Sequence, residues 1–342
     1  MTNYLRFIWR TPVLFLLLGT VWGSSFIAID IGLQSAPPLS FAAWRYLIAG
    51  GLLLAYSAAT TRRWLPRSPA AITEVVIIAV FLIAAYHALL YTGQVTVTAP
   101  IAAVLVNLSP IFTAIIAVVW MGQRYDLLTI AGFITGLIGV AIVAISPGVG
   151  LRVDGMGMLL IIGAGLSFAV GSLLTSTRTE GTPLLIIHGW GMLLGAAILA
   201  GGAILSGEPV ASVSWGRSGA LALVYLAVAS SIFGFLMFYE LLTRIPTAEL
   251  NLVGYVQPIA AAMLGWVLFG HDVAITTVIG FAVIAIGFLL VHHTSVETVL
   301  AAHHRRVTLR QPVSLYAVDP VPPAVDHSSK TGNSNARAET AD

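Results

Sequence analysis

The chain of 342 residues is 58% hydrophobic and only 9% charged, with a mean hydropathy of +0.94, whereas soluble domains carry about 25% charged residues. This composition excludes a soluble globular protein. The absence of cysteine and a net charge of +2 exclude disulfides and thiolate metal sites and give no reason to expect a nucleic-acid partner. Apolar runs of about 20 residues, the length that crosses a bilayer, recur from Val13 to Val291 and predict a polytopic membrane protein.

Charged or turn-forming clusters divide the apolar sequence into ten predicted membrane-spanning helices, because backbone groups in lipid must be hydrogen-bonded within their own segment. The connections are short, so neighbouring helices are expected to be antiparallel. The predicted fold class is therefore an all-α integral membrane protein. Its spans run over residues 13–33, 39–59, 71–92, 98–121, 127–146, 156–176, 183–205, 218–242, 247–269 and 274–292.

Arginines are concentrated before the first span and after the even-numbered spans, while the odd-numbered turns hold only Arg152 and Arg217. Because positively charged loops stay in the cytoplasm, we predict a multi-pass protein of the inner (cytoplasmic) membrane with both termini cytoplasmic. The polar sequence of residues 293–342 predicts a disordered cytoplasmic tail. The arginines on the predicted cytoplasmic side of the spans are Arg6, Arg10, Arg62, Arg63, Arg67, Arg124, Arg178 and Arg244.

The two halves of the sequence resemble each other. The segment Ser109-Pro110-Ile111 corresponds to Gln257-Pro258-Ile259 at an offset of 148 residues, and Gly132-Phe133 corresponds to Gly280-Phe281 at the same offset. Two repeats of five helices each follow, over residues 13–146 and 156–292. Because five is odd, the second repeat is predicted to be inverted in the membrane, an arrangement typical of secondary transporters.

Further motifs accompany this repeat: Trp22-Gly23-Ser24-Ser25-Phe26 in the first span, with Pro37-Pro38-Leu39 and Ala43-Trp44-Arg45-Tyr46 at and after the start of the second. With these motifs the chain resembles the EamA family of the drug/metabolite transporter superfamily over about residues 13–292. The resemblance implies a ten-helix, alternating-access carrier of small metabolites, commonly an exporter. It also implies a central cavity formed by the first four helices of each repeat.

Pro110 and Pro258 lie near the centres of the fourth and ninth spans, where proline removes a helical hydrogen bond. Both spans are predicted to be broken or bent, and matching interruptions in the two halves point to a binding site at the membrane midplane. Polar and aromatic residues near the two prolines are predicted to line the cavity, with interhelical hydrogen bonding as the alternative role. They are Asn107, Asn251, Tyr255 and Gln257.

Ionisable side chains inside a span are costly and indicate function. Arg45 lies about two turns into the second span and Asp30 about one turn from the end of the first, so an ion pair between them is expected to be within reach. We consider Arg45 a contact for a substrate anion or carboxylate. The alternative is a structural pair that fixes the helix hairpin.

Histidines and aromatic residues supply further candidates. His87 and Tyr91 share a face of the third span, and His87 is a candidate either for carrying protons or for packing. For His188, in the seventh span, packing is the favoured interpretation. The aromatic residues considered as cavity walls, with packing as the alternative, are Trp22, Trp190 and Tyr239.

Glycines spaced four residues apart, such as Gly132 and Gly136, predict close helix packing and also permit a homodimer. At the end of the eighth span, Glu240 is expected to pair with Arg244, one helical turn later. The histidine pairs near the C-terminal end of the last span and in the tail have no carboxylate or cysteine companions. We therefore predict neither a metal site nor a cofactor.

These features predict a secondary active transporter that exports a small metabolite or drug-like compound by alternating access, with the substrate and the lipid bilayer as its partners. No catalytic residue is assigned, because the chain has no Walker, metalloprotease or dinucleotide motif. The alternatives are a membrane-embedded enzyme that uses His87 or His188 with Glu240, and a passive channel or receptor of the same topology. Since buried charges are few, we expect a neutral or zwitterionic substrate.

Overall fold

The computed structural model is mainly helical, with no strand among the residues that it describes. The prediction of an all-α membrane protein is confirmed. The described residues belong to one unit, Met1–Val296, and the predicted tail at 293–342 lies outside them. They are residues 2–60, 64–122, 124–144, 154–175, 182–211, 213–257, 259–260 and 274–291.

The helices coincide with the apolar runs, because a helix bonds every backbone group within its own segment. Two of the long apolar segments contain a π-helical stretch, in which the turn is wider than in an α-helix. Residues 253–257 are helical as well. In chain order the helices are α1 (Thr2–Leu33), α2 (Pro38–Thr60), α3 (Pro69–Ile77), π1 (Ile78–Ala85), α4 (Tyr86–Gln94), α5 (Ala99–Val106), α6 (Ser109–Met121), α7 (Leu127–Ala144), α8 (Gly155–Leu174), α9 (Leu184–Leu205), α10 (Arg217–Tyr225), π2 (Leu226–Phe233), α11 (Gly234–Leu242), α12 (Thr247–Asn251) and α13 (Ile275–Val291).

Seven segments within the described part of the chain are long and apolar enough to cross a membrane, and they match seven of the ten predicted spans. Parts of α7 and α13 form shorter apolar helices at the fifth and tenth predicted spans. The ninth predicted span, 247–269, lies partly outside the described residues, so the count of ten stays a prediction. The seven segments are Thr11–Leu33, Pro38–Thr60, Pro69–Gln94, Ile101–Trp120, Gly155–Leu174, Leu184–Leu205 and Arg217–Leu242.

The fourth span is broken where the sequence predicts it. Helix α5 ends at Val106, a turn at Asn107 and Leu108 follows, and Pro110 stands in the first turn of α6. A proline is tolerated there because the first N–H groups of a helix have no intrahelical partner. In the ninth span, a turn at Leu252 separates α12 from residues 253–257, while the predicted break at Pro258 lies outside the described residues.

The π-helical stretches occupy equivalent places in the two halves. The first begins at Ile78 and the second at Leu226, each is eight residues long, and the offset between them is 148 residues. This is also the offset between Pro110 and Pro258. π-helical turns are rare in proteins, and those that occur often lie at functional sites. The two halves therefore share an uncommon backbone feature.

Helices α7 and α13 pack closely through glycines. A Cβ atom placed on Gly132 would lie 2.8 Å from the carbonyl oxygen of Gly287, and one placed on Gly139 would lie 2.8 Å from that of Gly280. The predicted close packing is therefore confirmed. Because Gly280 and Gly287 follow Gly132 and Gly139 by 148 positions, exchanging the two halves converts one contact into the other.

The same exchange relates the helices at the centre of the protein. Helix α1 packs against π2 and α11 of the second half, and α8 packs against π1 and α4 of the first. Helices α2 and α9 pack along each other. Elements of both halves therefore surround the centre of the molecule.

Candidate functional site

A small cavity lies between the two halves and is partly open to solvent. Its walls come from α1, α2 and α4 of the first half and from α8, π2, α11 and residues 253–257 of the second. Four predicted site residues line it. They are Trp22, Arg45, His87 and Gln257.

Arg45, on α2, reaches into this cavity and is 3% exposed. Its Nε–H donates to Oγ of Ser231 at 2.8 Å, and its terminal nitrogens donate to the hydroxyl of Tyr91 at 2.8 Å and to Oγ of Ser230 at 2.9 Å. Its guanidinium carbon lies 5.0 Å from the ring centre of Tyr46. Since all these partners are neutral, the charge is hydrogen-bonded but not neutralised.

The structure does not form the predicted pair of Arg45 with Asp30. Helix α2 packs against π2 more extensively than against α1, so the guanidinium meets Ser230 and Ser231 rather than the carboxylate on α1. Spacing along the chain placed Asp30 within reach, but the direction in which α2 faces decides the partner.

Ser230 and Ser231, adjacent residues of π2, both accept a hydrogen bond from Arg45. Adjacent side chains of a helix do not face each other, yet both of these reach one guanidinium from the π-helical stretch. The Ser230 hydroxyl is also hydrogen-bonded to that of Ser25 at 2.7 Å, and the Ser230 carbonyl accepts the indole N–H of Trp22 at 3.2 Å. Ser230 therefore joins the arginine to α1.

His87 lies beside Arg45 in a ring of tyrosines. Its Nδ1 donates to the carbonyl of Ile83 at 3.0 Å, because a carbonyl can only accept, and in the neutral ring Nε2 then accepts from the hydroxyl of Tyr46 at 2.6 Å. The rings of Tyr46 and Tyr86 are centred 4.6 and 4.5 Å from the imidazole. Both imidazole nitrogens are thus occupied.

Aromatic side chains form the apolar wall of the cavity. Trp22 meets Phe168 and Phe235 edge-on, with ring centres 5.9 and 5.5 Å apart. These three rings come from α1, α8 and α11, so they close the space between helices of both halves. Such a wall suits the apolar part of a ligand.

The asparagines predicted at the bent helices lie outside this cavity. Asn251 donates through Nδ2 to Thr113 at 2.8 Å and to Ser172 at 3.0 Å, so it links three helices. Asn107 donates to the carbonyl of Ala103 at 2.6 Å. The interhelical alternative describes Asn251, and a role of either residue in binding stays a prediction.

Tyr255 and Tyr239 also lie outside the cavity. The Tyr255 hydroxyl donates to the carbonyl of Phe133 at 2.9 Å, which fastens residues 253–257 to α7. Tyr239 packs against His188 with ring centres 5.0 Å apart. Both are buried, and their contact with a substrate stays a prediction.

Trp190 and the Glu240 pair lie near helix ends. The indole N–H of Trp190 donates to the carbonyl of Trp64 at 3.0 Å, outside the cavity. Arg244 binds the carboxylate of Glu240, with Nε 3.1 Å from Oε1. The predicted pair of Glu240 with Arg244 is confirmed.

Several lining residues were not predicted from the sequence. The available signal was the adjacent serine pair 230–231 inside an otherwise apolar span, since buried hydroxyls in lipid need partners. The apolar members carry no such signal, because any span contains many similar residues. The lining residues that were missed are Ser25, Phe26, Ile29, Tyr86, Leu90, Phe168, Ser230 and Phe235.

In the part of the chain that the structure describes, no group of three or more His, Cys, Asp or Glu side chains converges that could hold a metal ion. The cavity lining described here likewise contains no carboxylate. Its polar groups are hydroxyls, one imidazole, one amide and one guanidinium. Such a set can bind and orient a ligand.

The sequence profile of the EamA-like transporter family matches residues 9–145 and, a second time, residues 155–292. The chain belongs to the EamA-like transporter family. A protein of Escherichia coli named "Uncharacterized inner membrane transporter YedA" is 30% identical over 79% of this chain and 87% of its own length. "Uncharacterized transporter YoaV" of Bacillus subtilis is 21% identical over 79% of this chain and 92% of its own.

A solved crystal structure matches this EamA-like chain with a TM-score of 0.67 and 21% identity, over 87% of this chain and 98% of the other. This likeness shows a shared fold. Family membership makes the protein a membrane transporter, and members of this family are transporters rather than enzymes. The apolar helices and the inner-membrane relative confirm the predicted multi-pass location in the inner membrane.

Proposed function

We propose that this EamA-like protein is a secondary active transporter that exports small metabolites or drug-like compounds by alternating access. The observation that carries the proposal is the cavity walled by helices of both halves, with a buried arginine inside it. A site between two structural halves can face either side of the membrane as the halves rock against each other. Export is the direction that the family resemblance favours.

The proposed architecture is ten spans in two inverted repeats, with both termini in the cytoplasm. Support comes from contacts that exchange between the halves, such as those of Gly132 with Gly287 and of Gly139 with Gly280. The two π-helical stretches support it further, since they recur at the offset of the sequence repeat. A homodimer within the bilayer stays part of the proposal.

Counterflow in proteoliposomes tests the transport proposal. Vesicles loaded with a mixed pool of amino acids, amines, nucleosides and organic acids should take up a labelled member of that pool faster than empty vesicles. Arg45→Gln should lose this exchange, whereas Arg67→Gln, which changes an exposed arginine in the same way, should keep it. A passive channel would give flux without acceleration by internal substrate, and a receptor or enzyme would give none.

Alternating access has its own test, because the chain has no cysteine and introduced pairs are the only thiols. Trp64 with Trp190, and Trp44 with Val210, are in contact at opposite ends of the α2–α9 pair. Cysteine pairs at these positions, joined by a short reducible cross-linker, should each stop counterflow until the cross-link is reduced. Single-cysteine variants are the controls. Undiminished exchange with both ends joined would contradict a rocking mechanism.

A further inference from the structure

The charge of Arg45 is the starting point for identifying the substrate class. The side chain is buried, and it bonds three neutral hydroxyls rather than a carboxylate. Uncompensated charges inside a membrane protein are costly, and they face cavities or pair with a counter-ion. The described lining of the cavity holds no Asp or Glu, so a counter-ion has to come from a ligand.

The donors of Arg45 also fit one particular group. A guanidinium has five N–H groups, and three of them are bonded to Ser231, Tyr91 and Ser230. One N–H is left on each terminal nitrogen. Arginine binds carboxylates in a bidentate manner through pairs of N–H groups, and two N–H groups remain here.

The repeat in the fold shows whether the second half supplies an equivalent of Arg45. At the shift of 146 residues that relates Trp44 to Trp190, the equivalent of Arg45 is Gly191. A Cβ atom there would lie 2.6 Å from Ile78, so this position is filled by packing. The described lining of the cavity therefore offers one cation, which neutralises one negative charge and leaves a second unpaired.

The remaining walls describe the rest of the ligand. Trp22, Phe168 and Phe235 present aromatic surface, which favours an apolar body. The Gln257 Oε1 atom is buried and has no hydrogen-bond partner in the described structure, so it can accept one N–H or O–H. A ligand ammonium would meet no carboxylate among the described lining residues.

We propose that the cavity binds an organic monoanion, a single carboxylate on an aromatic or aliphatic body, with Arg45 as its anchor. This inference rests on the proposed transport function, since it names the substrate class of the same cavity. It replaces the expectation of a neutral or zwitterionic substrate, because the described lining residues supply no anionic partner for the arginine. A multiply charged substrate stays disfavoured.

Binding to the purified protein in detergent tests this inference without requiring transport. The probes share a phenyl group and differ in charge: 3-phenylpropionate, L-phenylalanine, 2-phenylethylamine, phenylsuccinate and 3-phenylpropan-1-ol. Titration calorimetry at neutral pH should show the tightest binding for 3-phenylpropionate. Arg45→Gln should weaken that binding by at least about 30-fold, and Arg45→Lys, which keeps the charge but loses the fork, should weaken it less. Arg67→Gln should leave it unchanged.

Thermal unfolding of each variant separates lost binding from lost folding, and Arg45→Lys keeps the test decisive if Arg45→Gln does not fold. The inference is overturned if 3-phenylpropionate does not bind, if phenylalanine, the amine or the alcohol binds as tightly as 3-phenylpropionate, or if phenylsuccinate binds more tightly. Binding of 3-phenylpropionate without counterflow would overturn the transport proposal and leave this site intact. Counterflow of amines alone would support the transport proposal and overturn the proposed carboxylate site.

Discussion

Trp190 donates its indole N–H to the backbone carbonyl of Trp64 at 3.0 Å, and the two rings stack with their centres 5.8 Å apart. At the other end of the α2–α9 pair, the indole N–H of Trp44 donates to the carbonyl of Val210 at 2.8 Å. Both members of the second contact are related to the first by a shift of 146 residues, Trp44 to Trp190 and Trp64 to Val210. Each half therefore fastens a loop of the other.

These tryptophan contacts predict a matched pair of stability losses. Trp190→Phe and Trp44→Phe keep an aromatic ring but remove the donated N–H, so each should lower the free energy of unfolding by about 0.5–1.5 kcal/mol. Trp120→Phe is the control, because Trp120 is 73% exposed on α6. Thermal unfolding in detergent measures all three. Equal stability of Trp120→Phe and the other two variants would show that the indole hydrogen bonds contribute nothing.

The glycine contacts between α7 and α13 predict a second symmetric pair. An alanine at Gly132 or Gly139 would place its Cβ 2.8 Å from a backbone carbonyl of α13, and the helices would have to separate. Both variants should unfold at clearly lower temperature than the wild type, by similar amounts. Gly51→Ala should be neutral or slightly stabilising, because nothing lies within 4 Å of its Cβ. A large difference between the first two would argue against equivalent packing in the two halves.

The sequence predicted those parts of the fold that depend on local chemistry. Apolar length located the spans, the position of Pro110 located the break in the fourth span, and the glycine spacing located the close packing of α7. Each of these depends on a backbone property of a few adjacent residues. Such properties are readable without knowing which helices meet.

Features that depend on the facing of helices could not be predicted in this way. The pairing of Arg45 with Asp30 failed because π2, and not α1, lies against that face of α2. The apolar sequence of π1 carries no signal that separates a π-helical turn from an α-helical one. Asn251 was placed in the cavity because the sequence shows which residues share its helix face. The sequence does not show which helix packs against that face.

Removing the Asn107 side chain is predicted to relieve the loss of stability that an alanine at Gly254 causes. A Cβ atom on Gly254 would lie 1.8 Å from Oδ1 of Asn107, so Gly254→Ala should strongly destabilise the protein. Asn107→Ala removes the amide and loses only the bond to the Ala103 carbonyl, which costs about 1 kcal/mol. The double variant should therefore be more stable than Gly254→Ala alone. A double-mutant cycle in thermal unfolding checks this, and purely additive losses would contradict the contact.

Glu208 caps the start of α2 from the loop that follows α9. Its Oε2 accepts from the backbone N–H of Ser40 at 2.8 Å, and its Oε1 from that of Leu39 at 3.4 Å. Because a carboxylate at a helix N-terminus also interacts favourably with the helix dipole, Glu208→Gln should cost about 0.5–1 kcal/mol. The loss should shrink at about 1 M salt, where exposed charges are screened. A salt-independent loss would assign the effect to packing instead.

The serines of π2 predict an order of stability. Ser230→Ala removes an acceptor of Arg45 and a hydrogen bond with Ser25, whereas Ser231→Ala removes the acceptor of the arginine Nε–H. A buried donor left without a partner costs about 1–3 kcal/mol, so Ser230→Ala should be the less stable of the two. Ser218→Ala, on the exposed start of α10, should match the wild type. Thermal unfolding gives the order directly, and a Ser230→Ala variant as stable as Ser218→Ala would mean that these hydroxyls do not hold the guanidinium.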